Sequence, residues 1–449
     1  MRNIDVNDVI DNATFNKFHW KVLFWCTLII IFDGYDLVIY GVVLPILMDQ
    51  WGLNPYVAGL LGSSALFGMM FGAMGFGMLS DRLGRKKVIT CVVLFSVTTV
   101  INGFATTPWQ FGILRFIAGL GIGGVMPNVV SLMSEYSPKK SRSTLVALMF
   151  SGYAVGGMMS AGLGIWIVPN YGWEIMFYLA VVPMLMLPFM LKFLPESVAF
   201  LMAQKREGEA RDILTQVAPL KHINEQDVLT VPPTTDSKAP VLELFRDGRA
   251  MSTMMFWVAF FCCLLMVYAL GSWLPKLMSN AGYALSSSLM FLMVLNVGAI
   301  IGAVGGGWLA DRLSLRSVLV SFFILGSGSL VLLGYESPMW FLYILVGIAG
   351  ATTIGSQILL YAYVAQYYPT SIRSTGLGWA SGIGRNGAIV GPLLGGALLA
   401  MALPHQMNFL ALAVPGAIAT VAIALVGSRG FGFRREPVAP SDGMAVSGS

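Results

Sequence analysis

A chain of 449 residues would ordinarily divide into two or three soluble domains, but 56% hydrophobic and 11% charged residues exclude that; soluble domains carry roughly 25% charged residues. The mean hydropathy of +0.75 agrees, so lipid must be the solvent over most of the chain. The net charge of +5 would suit nucleic acid as a partner, and it is tested first as a topology signal.

Apolar stretches able to cross ~30 Å of hydrocarbon, about 20 residues each, occur at 22–48, 56–79, 88–106, 109–133, 144–168 and 173–194 (spans 1 to 6). After a polar interval they resume at 251–275, 285–310, 317–335, 338–363, 374–401 and 406–427 (spans 7 to 12). The expected fold class is an all-α membrane protein with twelve transmembrane helices in two pseudo-symmetric six-helix bundles, 22–194 and 249–428. The short alternating segments of a membrane barrel do not occur. Residues 1–21 lack the basic region and cleavage site of a signal peptide and are expected to form a short amphipathic lead-in. Residues 195–248 read as a polar linker with short amphipathic helices near 197–217, and 429–449 as a disordered tail.

The basic residues sort by loop. Arg82, Arg85, Lys86 and Lys87 follow span 2, and Lys139, Lys140 and Arg142 follow span 4. Lys205, Arg206, Arg211, Lys221, Lys238, Arg246 and Arg249 lie in the linker, Arg312, Arg316 and Arg373 in later even-numbered loops, and Arg429, Arg434 and Arg435 in the tail. The opposite loops hold only Asp49, Glu174, Lys276 and Glu336. The positive-inside rule then makes both termini cytoplasmic, in a multi-pass protein of the cell inner membrane. The net charge is thereby explained by topology, and no nucleic-acid partner is expected.

The chain also aligns with itself. GMLSDRLGRKKV at 77–88 is repeated as GWLADRLSLRSV at 307–318, an offset of 230, and Tyr136 to Thr144 is echoed by Tyr367 to Thr375 at 231. Parallel repeats around a midplane site are a transporter architecture. The G-x-L-x-D-R-x-G-R-K-K run between spans 2 and 3, with its degraded second copy, resembles the signature of the major facilitator superfamily. Within it, DGYD at 33–36, LRFIAGLGIGGVMPN at 114–128, SEY at 134–136 and GRNGAIVGP at 384–392 resemble the aromatic acid/proton symporter family. The run FHWKVLFWCTLIIIFDGYDLVIYGVVLP from Phe18 is most similar to the bacterial benzoate transporters of that family. The resemblance implies a monomeric symporter that imports a small aromatic carboxylate with protons by alternating access.

Four ionisable residues lie deep in spans: Asp33, Asp36, Arg115 and Arg385. At 1.5 Å per residue, Asp36 is roughly 18 Å from the inner surface, Arg115 about 21 Å and Arg385 about 16 Å, all near the middle of a ~30 Å core. Each costs at least ~2.5–3.5 kcal/mol there, so each needs a partner or a wet cavity. At the repeat offset Asp33 and Asp36 fall on Cys263 and Met266, Arg115 on Leu345, and Arg385 on Ala154. Charges present in one copy only point to function rather than to building the helical unit. Arg385 is the first candidate to grip a carboxylate, because a guanidinium meets it as a planar fork. Asp33 and Asp36, three apart on one helix, are neighbours expected to titrate as a unit in proton coupling. Arg115 either binds substrate or forms a structural ion pair with Asp36.

An aromatic ring needs stacking faces and a few polar anchors. Candidates are Tyr35, Asn128, Tyr153, Trp273, Asn296, Gln357, Trp379 and Asn386, each of which could equally pack or face lipid. Candidate gating residues are Asp81, Arg82 and Arg85 with Asp311 and Arg312 in the second copy, and Glu135 with Arg142, and Arg373 opposite. Solvated loop charges are the plain alternative. GAIVGPLLGG at 387–396 and Gly119 to Gly124 read as close helix packing. No cofactor or metal is expected: Cys262-Cys263 is not a metal spacing, and His19, His222 and His405 are scattered in terminal or loop positions, which also argues against an enzyme. The rival substrates are a hydroxybenzoate or a ring-cleavage diacid such as muconate. A diacid would want a second cation, so Arg115 free of Asp36 would favour it. A membrane sensor of aromatic acids would need an output domain larger than this linker.

Overall fold

The computed structural model describes residues 3–89, 91–219, 221, 227–230, 241–369 and 372–427. Among the described residues, eleven helices are long and apolar enough to cross a membrane. Spans 1, 2, 4 and 5 are Lys17–Trp51, Pro55–Leu83, Pro108–Tyr136 and Arg142–Tyr171. Span 3 is shorter, with Cys91–Asn102 as its described helix after a turn at Arg85–Val88. Span 6 breaks into Glu174–Tyr178 and Val181–Phe193. Pro183 is the reason: it has no N–H and its ring crowds the carbonyl four residues back, at Leu179. Spans 7 to 12 are Ala250–Asn280, Leu285–Arg312, Leu315–Leu333, Met339–Tyr367, Arg373–Ala400 and His405–Leu425.

Several helices run beyond the apolar stretch that marks them. Span 1 is 35 residues long because its ends are capped. Asn16 accepts from the Phe18 and His19 amides while the His19 ring accepts from the Asn16 amide, and Gly52 ends the helix in the left-handed region. His19 is thus a buried helix cap, and not a terminal or loop residue as its position in the chain suggested.

The duplication holds at the level of contacts. Span 2 packs on span 4 as span 8 packs on span 10, and span 1 on span 5 as span 7 on span 11. Glycines set each crossing: a Cβ on Gly68, Gly72 or Gly119 would sit 2.0–2.1 Å from the carbonyl oxygen of Phe116, Leu120 or Ala65. The repeat partners Gly298, Gly302 and Gly350 meet Gly347, Ala351 and Leu295 at 1.9–2.1 Å. Gly156 on Ile31 is likewise matched by Gly387 on Phe261. Small residues that let backbones touch are what joins helices where lipid supplies no hydrophobic drive.

The bundles meet through spans 1 and 7, 2 and 11, and 5 and 8. A core with Leu44, Leu47 and Met48 of span 1 and Trp273, Leu277 and Leu289 of the second bundle joins them on the face away from the termini. Toward the termini the cores separate, one drawn mainly from the first bundle and one from the second bundle with the end of the linker.

A polar layer covers the terminal face of the first bundle. Helices Val198–Ala203 and Glu207–Val217 occupy the start of the linker, where amphipathic helices are expected. Strand Asn3–Asp5 pairs in parallel with Val228–Thr230, and Asn16 Nδ2 donates to the Gln216 and Val217 carbonyls. The lead-in is therefore docked on the linker. The tail lies outside the described residues.

The glycine contacts predict a sharp contrast. Gly302→Val should abolish recovery of monodisperse protein, because the Ala351 backbone cannot withdraw. Gly305→Ala, which meets nothing within 4 Å, should be neutral or stabilising by ~0.5–1 kcal/mol; fluorescence-detected size-exclusion chromatography with a thermal ramp measures both.

Candidate functional site

Asp33 and Asp36 lie at mid-length of span 1 and both are buried, yet their surroundings differ. Asp36 is fully answered. Arg115 Nη1 donates to its Oδ2 at 2.9 Å and Nη2 to its backbone oxygen at 3.0 Å, while the Thr99 hydroxyl donates to Oδ1 at 2.7 Å. Both charged side chains are 2–3% exposed. Spans 1, 3 and 4 are thereby pinned together within one bundle. Arg115 is accordingly committed to the ion pair and does not face a substrate cavity.

Asp33 has neither carboxylate oxygen hydrogen-bonded among the described residues. Between the two acids, Gly34 lies against span 5: a Cβ there would sit 2.2 Å from the Tyr153 carbonyl oxygen. That approach carries the Tyr153 ring to the boundary with the second bundle, where its hydroxyl faces that of Tyr268 on span 7. Tyr268 is within electrostatic reach of both Asp33 and Arg385, and Tyr361 on span 10 is within reach of Arg385. Arg385, half-buried on span 11, has no carboxylate partner among the described residues. The arrangement sets an acid on one bundle and a guanidinium on the other, with tyrosine hydroxyls between them.

The other ring-site candidates scatter. Trp273 is 0% exposed and its indole N–H donates to the Pro392 carbonyl at 2.8 Å, so it packs span 7 on span 11 and does not line a cavity. Tyr35 donates to the Met176 carbonyl within the first bundle. Asn128 and Asn296 donate to Gly124 and Leu292 on their own helices, and Asn296 also fills the crossing with Gly157. Gln357 is half-buried on span 10. Trp379 is 44% exposed and stacks on Trp257 at 5.8 Å, and Asn386 is exposed beside Arg385. Tyr268 and Tyr361 escaped the sequence reading. The repeat offset would have found them, because they fall on Val38 and Val130 and so are hydroxyls present in one copy only.

The gating candidates also need correction. Glu135 pairs with Arg85, and its other oxygen accepts from the Ser197 hydroxyl; it does not pair with Arg142. Arg142 reaches Asp11 of the lead-in at 2.5 Å. Both contacts stay within the first bundle and its polar layer. Arg312 lies over the Trp308 ring at 4.0 Å and Arg373 is exposed at the start of span 11. The side chains of Asp81, Arg82 and Asp311 lie outside the described residues. One contact does cross the bundles on the far face: Lys276 Nζ to Asp49 at 3.2 Å. Both residues are among the four charges that the sequence places in the opposite loops.

Comparison with known proteins agrees with this fold. A profile of the Major Facilitator Superfamily matches residues 26–335 and 293–443. The chain is 51% identical to a benzoate transport protein of Acinetobacter baylyi over 98% of this chain and 96% of that one. It is 39% identical to a gentisate transporter of Corynebacterium glutamicum, over 88% and 85% of the two chains, and 35% identical to a gallate transporter of Pseudomonas putida, over 94% and 95%. In fold it is similar to the Escherichia coli xylose transporter in a partially occluded inward-open conformation, with a TM-score of 0.71 at 16% identity, covering 90% of this chain and 97% of that one.

Removing one member of a buried pair strands the other charge at about 3–5 kcal/mol. Asp36→Asn and Arg115→Met should therefore each lower thermal stability strongly in detergent, and the double variant should recover part of the loss. Additive losses would show that the pair is not coupled.

Proposed function

The chain belongs to the major facilitator superfamily, and on that premise we propose that it imports an aromatic carboxylate, benzoate first, together with a proton across the bacterial inner membrane. One observation carries the reading: an unanswered buried acid, Asp33, stands within reach of the tyrosines that approach an uncommitted guanidinium, Arg385, on the other bundle. An ionised carboxylate without partners is costly in a dry site, so Asp33 is the group that carries the proton. Arg385 takes the carboxylate of the substrate, and Tyr268 and Tyr361 supply ring and hydroxyl contacts. Asp36 and Arg115 hold the first bundle rigid around that exchange. With the termini cytoplasmic, as the loop charges argue, bundles joined on the far face and separated toward the termini correspond to the inward-open state.

Arg115 is buried in its pair with Asp36 and is not a free second cation, which favours a monoacid over a muconate-type diacid. Hydroxybenzoates remain the rival substrate. The hydroxyls near Arg385 support it, and so do relatives at 35–39% identity named for gallate and gentisate. A panel of aromatic acids competing against labelled benzoate decides between them.

The primary test is uptake of radiolabelled benzoate into proteoliposomes. Inside-alkaline pH should accelerate it and a protonophore should collapse it; indifference to both removes proton coupling. Asp33→Asn should lose gradient-driven accumulation while keeping counterflow exchange between preloaded and external benzoate. Arg385→Ala should lose both activities. Arg385→Lys should recover only part, since a point charge cannot form the fork.

A further inference from the structure

A cleft outside the central site lies where the first bundle meets its polar layer, between the start of span 1, the end of span 6 and helix Glu207–Val217, with a volume of about 530 Å³. Lys21, Lys86, Lys87, Lys192 and Arg206 line it, against Glu196, Glu209 and Asp212. Two of those carboxylates are already occupied. Glu196 accepts from the Lys86 and Ser197 amides, and Glu209 pairs with Arg206. With five cations facing three carboxylates, the surplus is positive. Lys21 and Lys192 converge from different helices on one ring, with their ammonium groups 5.0 and 5.8 Å from the centre of Phe193. Trp25 stacks on the same ring at 5.8 Å. These lysines stand at the ends of apolar spans, which is headgroup depth.

Below the cleft the surface turns apolar in continuous strips. On span 6 Phe193, Phe189 and Leu185 follow at intervals of four, one helical face, and all are exposed. On span 1 Trp20 and Phe24 flank Lys21 and are also exposed. A cationic recess at the head of an apolar groove fits a molecule with a phosphate and acyl chains. A free phosphate would use the recess alone.

We propose that this cleft binds an anionic phospholipid of the leaflet on the terminal side, its phosphate held between Lys21 and Lys192 and its chains along the span 6 strip. Bound lipid bridges spans 1 and 6 to the linker, so it braces the layer in which the lead-in is docked. Each basic residue near an anionic surface contributes a factor of about five in affinity.

Native mass spectrometry of the full chain, titrated with phosphatidylglycerol or phosphatidylcholine, tests this. Phosphatidylglycerol should be retained over phosphatidylcholine. Lys21→Gln and Lys192→Gln should each weaken retention about fivefold, and Lys21→Arg should largely preserve it. Lys140→Gln, on the same face but outside the cleft, should leave it unchanged. Equal retention of the two lipids, an equal loss with Lys140→Gln, or displacement of the lipid by inorganic phosphate would each overturn the proposal. If the cleft variants fail to fold, the lipid preference and the phosphate competition on the unaltered protein still decide it.

Discussion

Hydrocarbon offers a charge nothing to bind, and the arrangement of this molecule follows from how each buried charge meets that condition. Asp36 and Arg115 satisfy one another and Thr99 completes the set, so the first bundle carries a fixed polar strut. Asp33, only one turn away, has no hydrogen-bond partner among the described residues. Two acids with the same burial thus take opposite parts, one structural and one available for exchange. The difference arises from what stands opposite each on the neighbouring helices.

Much of this was legible in the sequence because lipid imposes simple rules. Span number, the six-plus-six division and the duplication follow from apolar length and an offset of 230. Depth arithmetic brought Asp36, Arg115 and Arg385 to mid-membrane, and the alternative of an ion pair between the first two was open from the start. Sequence could not say which alternative held, because Asp36 and Arg115 are 79 residues apart and their meeting depends on the tilt of span 4 against span 1. The same limit explains Trp273 and Tyr35. Each is an amphipathic ring on a core-facing helix, and only the packing shows that its donor is taken by a backbone carbonyl. Caps were underestimated too, since apolar length marks the hydrocarbon and not the helix end.

The polar layer shows a second kind of asymmetry. Its anchors all belong to the first bundle: Asp11 with Arg142, Glu135 with Ser197, and the Asn16 amide with the end of the linker helix. The described start of the linker is therefore part of the first bundle in mechanical terms.

The crossing of spans 1 and 7 has a consequence for movement between the bundles. Gly41 and Gly271 are repeat equivalents, and a Cβ on Gly41 would sit 2.0 Å from the Gly271 oxygen. Two bare backbones touch there, with no side-chain knob seated in a hole. Surfaces so smooth can roll on one another without first lifting a ridge from its groove. A close contact between the halves is thus also one that offers little steric resistance to rotation, as a bearing does.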